Sequence, residues 1–322
     1  MQKSEMSERI ESVSQQAKQV IAEVERAIVG KRELLERIML AVLAGGHLLI
    51  EDFPGLAKTL IAKSFAVALG LQFKRIQFTP DLLPGDITGS YIYNRNNGQF
   101  ELRQGPVFAN IILADEINRA SPKTQAALLE AMQESQVTLE GERLALPEPF
   151  IVMATQNPIE FEGTFALPEA QLDRFLMKLS VGYPSEEQEL EILQRRMERR
   201  EDEVLLKAVT NATELMEMRR AIEEVHVESD VARYIVRLVQ ATRTEEHIAV
   251  GASPRAALAL LKLARAKAAL DGRSYVIPDD VKFMAPPVLI HRLILKPDMW
   301  ARDYKVGDVV ERVVHAVPVP KV

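Results

Sequence analysis

Leu48-Leu49-Ile50-Glu51 runs into Asp52-Phe53-Pro54-Gly55-Leu56-Ala57-Lys58-Thr59 and then directly into Leu60-Ile61-Ala62-Lys63-Ser64-Phe65-Ala66. The order is an apolar strand, a tight turn and a helix. Such a join points backbone N–H groups and the positive end of a helix dipole at one spot, which suits a polyphosphate. In that reading Lys58 reaches the outer phosphates and the Thr59 hydroxyl ligates Mg2+. The general pattern asks for Gly at the first position and again just before the Lys, where this chain has Asp52 and Ala57. Taken alone, the stretch is equally a strand-turn-helix connection with a surface lysine.

Other segments decide between the two. Asn110-Ile111-Ile112-Leu113-Ala114-Asp115-Glu116 is a β-branched apolar run of the kind buried on both faces of a sheet, and it ends in two carboxylates. Nucleotide hydrolysis needs such a pair, Asp115 for the metal shell and Glu116 as general base. Acids at that place also serve as a solvated strand end or as helix caps, but both halves of a nucleotide site in the right order favour the first use. A third strand, Phe150-Ile151-Val152-Met153-Ala154, runs into Thr155-Gln156-Asn157-Pro158. Asn157 there suits orienting water or touching a γ-phosphate, and it suits an Asn-Pro turn as well. Arg174 follows a short helical stretch, Leu167–Asp173, and precedes the strand-like Leu176–Val181; Arg255 opens a helix after Gly251-Ala252-Ser253-Pro254.

The chain has 322 residues, of which 47% are hydrophobic, enough for two domains with their own cores. It has no cysteine, which excludes a disulfide framework, a thiolate metal site and a cysteine nucleophile. The amino terminus lacks the basic-then-apolar order of a signal peptide, and no apolar run approaches the ~20 residues of a membrane span. A cytoplasmic protein without membrane insertion is expected. A net charge of −6 makes nucleic acid an unlikely partner.

Apolar residues at helical spacing (Ile10, Val13, Ala17, Val20, Ile21, Val24) predict an amphipathic helix from Ser7 to Ala27, and a second helix spans Lys31 to Ala44. Phe73–Phe78 reads as a strand, and Thr79–Asp86 as a turn-rich segment. Tyr91–Tyr93 with Gln99–Leu102, and Gln136–Leu139 with Arg143–Leu146, form two hairpins that interrupt a strand-helix alternation. Beyond Gly182-Tyr183-Pro184 the periodicity is helical, with helices at Ala212–Val225, Ser229–Arg243 and Pro254–Leu270 and a last one near Pro278. The expected class is α/β, a parallel sheet between helices, followed by an all-helical domain. The divisions are 1–26 for the amino-terminal helix, 27–183 for the α/β domain and 184–322 for the helical domain.

From about Ala27 to Pro320 the chain resembles the MoxR family of AAA+ ATPases. The matching strings are Glu51–Thr59, Asp115-Glu116-Ile117-Asn118-Arg119-Ala120, Ala154–Pro158, Glu169–Phe175 and Gly251–Arg255. The family tolerates Asp at position 52 and Ala at position 57. The resemblance implies an AAA+ P-loop core with a helical lid, binding ATP and Mg2+ in the cleft between them. It implies nucleotide contacts from Val29, Gly30, Pro54, Gly55, Leu56, Ala57, Lys58, Thr59 and Leu60, and metal contacts from Thr59 and Asp115. Glu116 is then the base, Asn157 sensor 1, Arg174 an arginine finger acting on the neighbouring subunit, and Arg255 sensor 2. It further implies a homo-oligomer, a hexameric ring, that acts as a chaperone-like ATPase on protein clients with von Willebrand factor A partners. A nucleic-acid or chelatase-type motor and an ATP-binding scaffold with little hydrolysis are the competing functions. The Asp52 carboxylate is expected to point away from the phosphates, which it would repel.

Overall fold

β-Branched runs that are apolar at every position need cover on both faces, so helices must lie above and below the sheet. The computed structural model builds that arrangement and describes residues 2–158, 164–300 and 304–320. Helices α1 (Gln2–Glu25) and α2 (Arg32–Leu43) lead to β1 (Leu48–Glu51), α3 (Lys58–Ala68) and β2 (Phe73–Gln77). The short α4 (Pro84–Thr88) opens the hairpin of β3 (Gly89–Asn94) and β4 (Gln99–Gln104). Then follow β5 (Ile111–Asp115), α5 (Pro122–Glu134), the hairpin of β6 (Gln136–Leu139) and β7 (Glu142–Ala145), β8 (Ile151–Gln156), α6 (Glu169–Leu172) and β9 (Met177–Leu179). The rest is helical, comprising α7 (Glu186–Arg199), α8 (Ala212–Glu223), α9 (Ser229–Thr244), α10 (Pro254–Leu270), α11 (Pro278–Leu289), α12 (Pro297–Trp300) and α13 (Val306–Ala316).

The main sheet is parallel, in the order β2-β5-β8-β1-β9. Leu48 sits opposite both Met153 and Met177, so β1 is inside the sheet and its carboxyl end opens between β8 and β9. Leu48, Ile50, Ile111, Leu113 and Met153 pack toward α1, α2 and α3; Leu49, Ile112, Ala114, Val152 and Ala154 pack toward α5. His47, one residue before β1, ties the two layers. Its Nδ1 accepts the Val152 N–H at 3.0 Å and its Nε2 donates to the Met132 carbonyl at 2.9 Å, which fixes the neutral tautomer. Burial pushes its pKa down to about 4.

Three details differ from the sequence reading. The second hairpin turns on two residues, Glu140 (φ 48) and Gly141 (φ 85), so that Glu142 pairs with Leu139 instead of sitting in the loop. The helical part carries a short antiparallel ribbon of β10 (Ile248–Val250) and β11 (Ile294–Leu295). Helix α13 lies beyond the last helix expected, and buries Val309, Val310 and Val313.

One buried cluster runs across positions 26 and 183. Ile10, Val13, Ala17, Val20, Ile21 and Val24 of α1 share one buried cluster with residues of α2 and α3 and with Leu260 and Leu263 of α10 and Met284 of α11. Helix α1 is thus the spacer between the sheet and the lid, touching both.

Candidate active site

The phosphate loop begins where β1 leaves the sheet. Gly55 (φ 83) and Ala57 (φ 55) both take the left-handed conformation before α3 starts at Lys58. That backbone turns successive N–H groups inward at a helix start, a ready anion cradle. For Ala57, where the general pattern has Gly, this conformation costs about 1–2 kcal/mol. Leu56 is buried, so its backbone is what it offers; Pro54, Gly55, Ala57 and Leu60 are exposed, and Thr59 is half-buried on the first turn of α3. Lys58 Nζ donates to the carbonyls of Asp52 (2.6 Å) and Phe53 (3.1 Å). Burial draws its pKa below the ordinary lysine value, against the charges of Asp52, Asp115 and Glu116, which favour the ion.

Asp52 is turned away from the cradle. Its Oδ2 accepts from Ser180 Oγ (2.8 Å), Val181 N (2.6 Å) and Gly182 N (2.7 Å), and its Oδ1 from Phe53 N. Burial alone would raise this carboxyl, but the donors from Gly182, Ser180, Phe53 and Val181 outweigh it and hold the group below the usual range. Asp52 thereby clamps the phosphate loop to the segment that follows β9. Asp52→Ala should destabilise the chain by about 2–3 kcal/mol, because the buried donors lose their acceptor. A depressed carboxyl stabilises above its unfolded pKa of about 3.9 and loses that contribution as pH falls through the lower folded value. The variant should therefore also show a shallower loss of stability below about pH 4, read by urea unfolding against pH.

The acids at the end of β5 are locked into a polar network. Asp115 Oδ1 accepts from Thr155 Oγ1 (2.6 Å), and Oδ2 from Arg75 Nε (3.0 Å) and Nη2 (2.7 Å). Glu116 takes the left-handed conformation (φ 57), its N–H donates to Thr155 Oγ1, and its Oε2 accepts from Gln77 Nε2 (2.8 Å) and Arg119 Nη1 (2.9 Å). Left-handed non-glycine residues at both Ala57 and Glu116 store strain where the chain must present chemistry. Asn157 is buried just past β8, whose last carbonyl, Gln156 O, accepts the Asp52 N–H. It therefore lies beside the start of the loop.

The segment Val29-Gly30-Lys31 joins the same end of the sheet. Lys31 Nζ donates to the carbonyls of Gly182 (2.9 Å) and Tyr183 (3.0 Å), and the Gly30 carbonyl accepts from Gln188 Nε2 of α7. The Tyr183 ring stacks on Phe53 with centroids 5.9 Å apart. Tyr183 and Phe53, Arg75, Gln77, Arg119 and Thr155 escaped the sequence reading. The one available signal was the i, i+2 spacing of Arg75 and Gln77, which puts both on one face of β2.

Arg174 and Arg255 are elsewhere. They share a recess of about 350 Å³ with Gly46, His47, Leu258 and Lys262, at the amino-terminal end of β1. The full length of the strand separates them from the phosphate loop. Asp173 is claimed by Arg292 Nε (2.8 Å) and Ser253 Oγ (3.0 Å), with Arg255 Nη1 at 3.8 Å. Among the described residues no side-chain hydrogen bond or ion pair holds the Arg174 guanidinium. Helix α10, which Arg255 opens, packs against α1 and α2.

The donor set fits a magnesium nucleotide. A left-handed N–H cradle, an ammonium and a hydroxyl at Thr59 follow β1, and the Asp115 carboxylate ends β5 on the same carboxyl edge of the parallel sheet; hard oxygen donors suit Mg2+. Residues 47–177 match the model of the ATPase family associated with various cellular activities (AAA), and residues 240–313 match the AAA lid domain. The chain is 47% identical over 300 residues to the protein YeaC of Bacillus subtilis, covering 93% of each. It is 46% identical over 311 residues to the Chaperone MoxR1 of Mycobacterium tuberculosis, covering 94% of this chain and 82% of that one. A candidate ATPase from Cytophaga hutchinsonii, solved by crystallography, superposes with a TM-score of 0.92 at 41% identity, covering all of both chains.

Proposed function

Because the chain belongs to the MoxR family of AAA+ ATPases, we propose that it hydrolyses Mg2+·ATP at sites completed by a neighbouring copy and uses the cycle to remodel protein clients. The observation that carries this reading is the separation of the two halves of the site. Lys58, Asp115 and Glu116 lie along the carboxyl edge of the sheet, while Arg174 lines a recess at the amino-terminal end of β1, so in this reading a chain does not supply Arg174 to its own nucleotide. A head-to-tail neighbour does. Arg255, beside Arg174, then serves the same neighbouring nucleotide.

The backbone of Gly55–Lys58 would take the phosphates of the nucleotide, Lys58 would leave its two carbonyl partners for the outer oxygens, and Thr59 and Asp115 would hold the metal. When bound, the ion neutralises charge on the phosphate oxygens. Glu116 accepts a proton from the attacking water once its carboxylate turns from Gln77 and Arg119. Asn157 orients that water, and Arg174 stabilises the charge that develops on the transferring group. Val29, Gly30 and Tyr183 border the place of the base.

A client role is supported by the β3–β4 hairpin. Tyr93 and Phe100 pair across it with centroids 5.3 Å apart, and both are exposed. An aromatic pair on a projecting ribbon suits gripping an extended polypeptide. The wider reading is a cytoplasmic hexamer, working on client enzymes with a von Willebrand factor A partner. The binding half of the site is tested by Lys58→Ala. Loss of one charge-assisted contact of about 1.5–3 kcal/mol predicts roughly 10–100-fold weaker ATP binding by calorimetry, with an unchanged circular dichroism spectrum. Parent-like affinity would remove the loop from the site.

A further inference from the structure

Helix α7 has 14 residues and buries none of them. It is anchored by polar contacts along one face, Gln188 Nε2 to the Gly30 carbonyl and Arg195 Nη1 to the Glu25 carbonyl. At 100° per residue, Leu190, Leu193 and Met197 fall on the opposite face, and they are 54%, 61% and 66% exposed. An amphipathic helix with its polar side toward the body and its apolar stripe outward is incomplete as a monomer surface. The helix starts three residues after Tyr183, which stacks on Phe53 of the phosphate loop, so the start of the helix borders the nucleotide end of the sheet.

The opposite end carries a matching surface. On α10, Arg255, Leu258 and Lys262 lie at i, i+3 and i+7 and are exposed, Leu258 to 61%. That face is basic around one leucine, and it lies beside Arg174. The first turns of α7 carry Glu186, Glu187 and Glu189 beside its leucines. The charges are complementary, and the two faces are at opposite ends of one chain, the condition for a head-to-tail contact.

We propose that the Leu190/Leu193/Met197 stripe of α7 docks on the Arg255/Leu258/Lys262 face of α10 in a second copy of this chain. This rests on the shared-site reading above and names the surface that delivers Arg174 and Arg255 to the neighbour's nucleotide. An apolar stripe sets the distance, and the acidic turn sets the direction.

The absence of cysteine makes the contact testable in the whole 322-residue chain. Leu193→Cys and Leu258→Cys, each in the Glu116→Gln background, are mixed with Mg2+·ATP and treated with a short-arm bis-maleimide. The mixture should give at least about tenfold more cross-linked dimer than either variant alone, since a contact between unlike faces needs both. In a second arm, Leu193→Glu should raise the concentration for half-assembly at least about tenfold in sedimentation velocity, the loss of one buried leucine contact, with an unchanged melting temperature. Cross-linking of Leu193→Cys alone as strong as in the mixture overturns the proposal in favour of a two-fold contact. Assembly of Leu193→Glu like the parent, with no mixed cross-link, removes the stripe from the interface, assigns it to another occupant and leaves the shared site standing. A parent chain that stays monomeric with ATP at every concentration overturns both.

Discussion

Arg174→Ala should lower the turnover of the assembled protein by about 10³–10⁵-fold, the scale of losing an arginine that stabilises the phosphoryl-transfer transition state. ATP affinity of the isolated chain should stay unchanged, because Arg174 lies across the full length of β1 from its own Lys58. The size of the effect follows from its surroundings. Asp173 is held by Arg292 and Ser253, so it does not hold the Arg174 guanidinium away from a partner. The measurement is steady-state ATP hydrolysis, followed by mixing with Glu116→Gln. An Arg174→Ala subunit retains Glu116 and can take its arginine from a Glu116→Gln neighbour, so the mixture of two inactive proteins should regain activity. A mixture that assembles, binds ATP and stays inactive would show that Arg174 does not act between copies.

Glu116→Gln should reduce kcat by about 10²–10⁴-fold, the usual contribution of a positioned general base, while nucleotide stays bound. The substitution is nearly isosteric and tolerates the left-handed backbone as glutamate does, and the amide oxygen still accepts from Arg119. What it cannot do is take a proton. Single-turnover measurement with Mg2+·ATP separates the outcomes. A slow chemical step with retained ATP supports the assignment; an equal loss of binding would mean that Glu116 acts through the loop and not on water.

The position of several candidate residues in the fold was legible in the sequence. Lys58 and Thr59 open a helix after an apolar strand and a tight turn, Asp115 and Glu116 end an apolar run, and both patterns are visible in one dimension. The Asp52 expectation was also met, because the repulsion that turns its carboxylate away needs no tertiary information. What supports those groups was not legible. Arg75 and Gln77 meet Asp115 and Glu116 only because β2 lies beside β5, a pairing that skips over a hairpin and some forty residues of chain. The place of Arg255 was beyond reach for a similar reason. Its motif marks a helix start, but which end of the sheet that helix serves depends on how α10 packs against α1 and α2. Helix α13 went unread because Val309, Val310, Val313 and Val314 are β-branched and weak helix formers; burial of that face outweighs their propensity.

Helix α1 has one more meaning. Since its apolar side is inserted between the sheet helices and the lid, neither of them has a finished surface without it. A lid grafted onto a relative must bring α1 along, and a version without residues 2–25 would expose Leu260 and Leu263 together with the backs of α2 and α3. The first two dozen residues are the keystone of both halves.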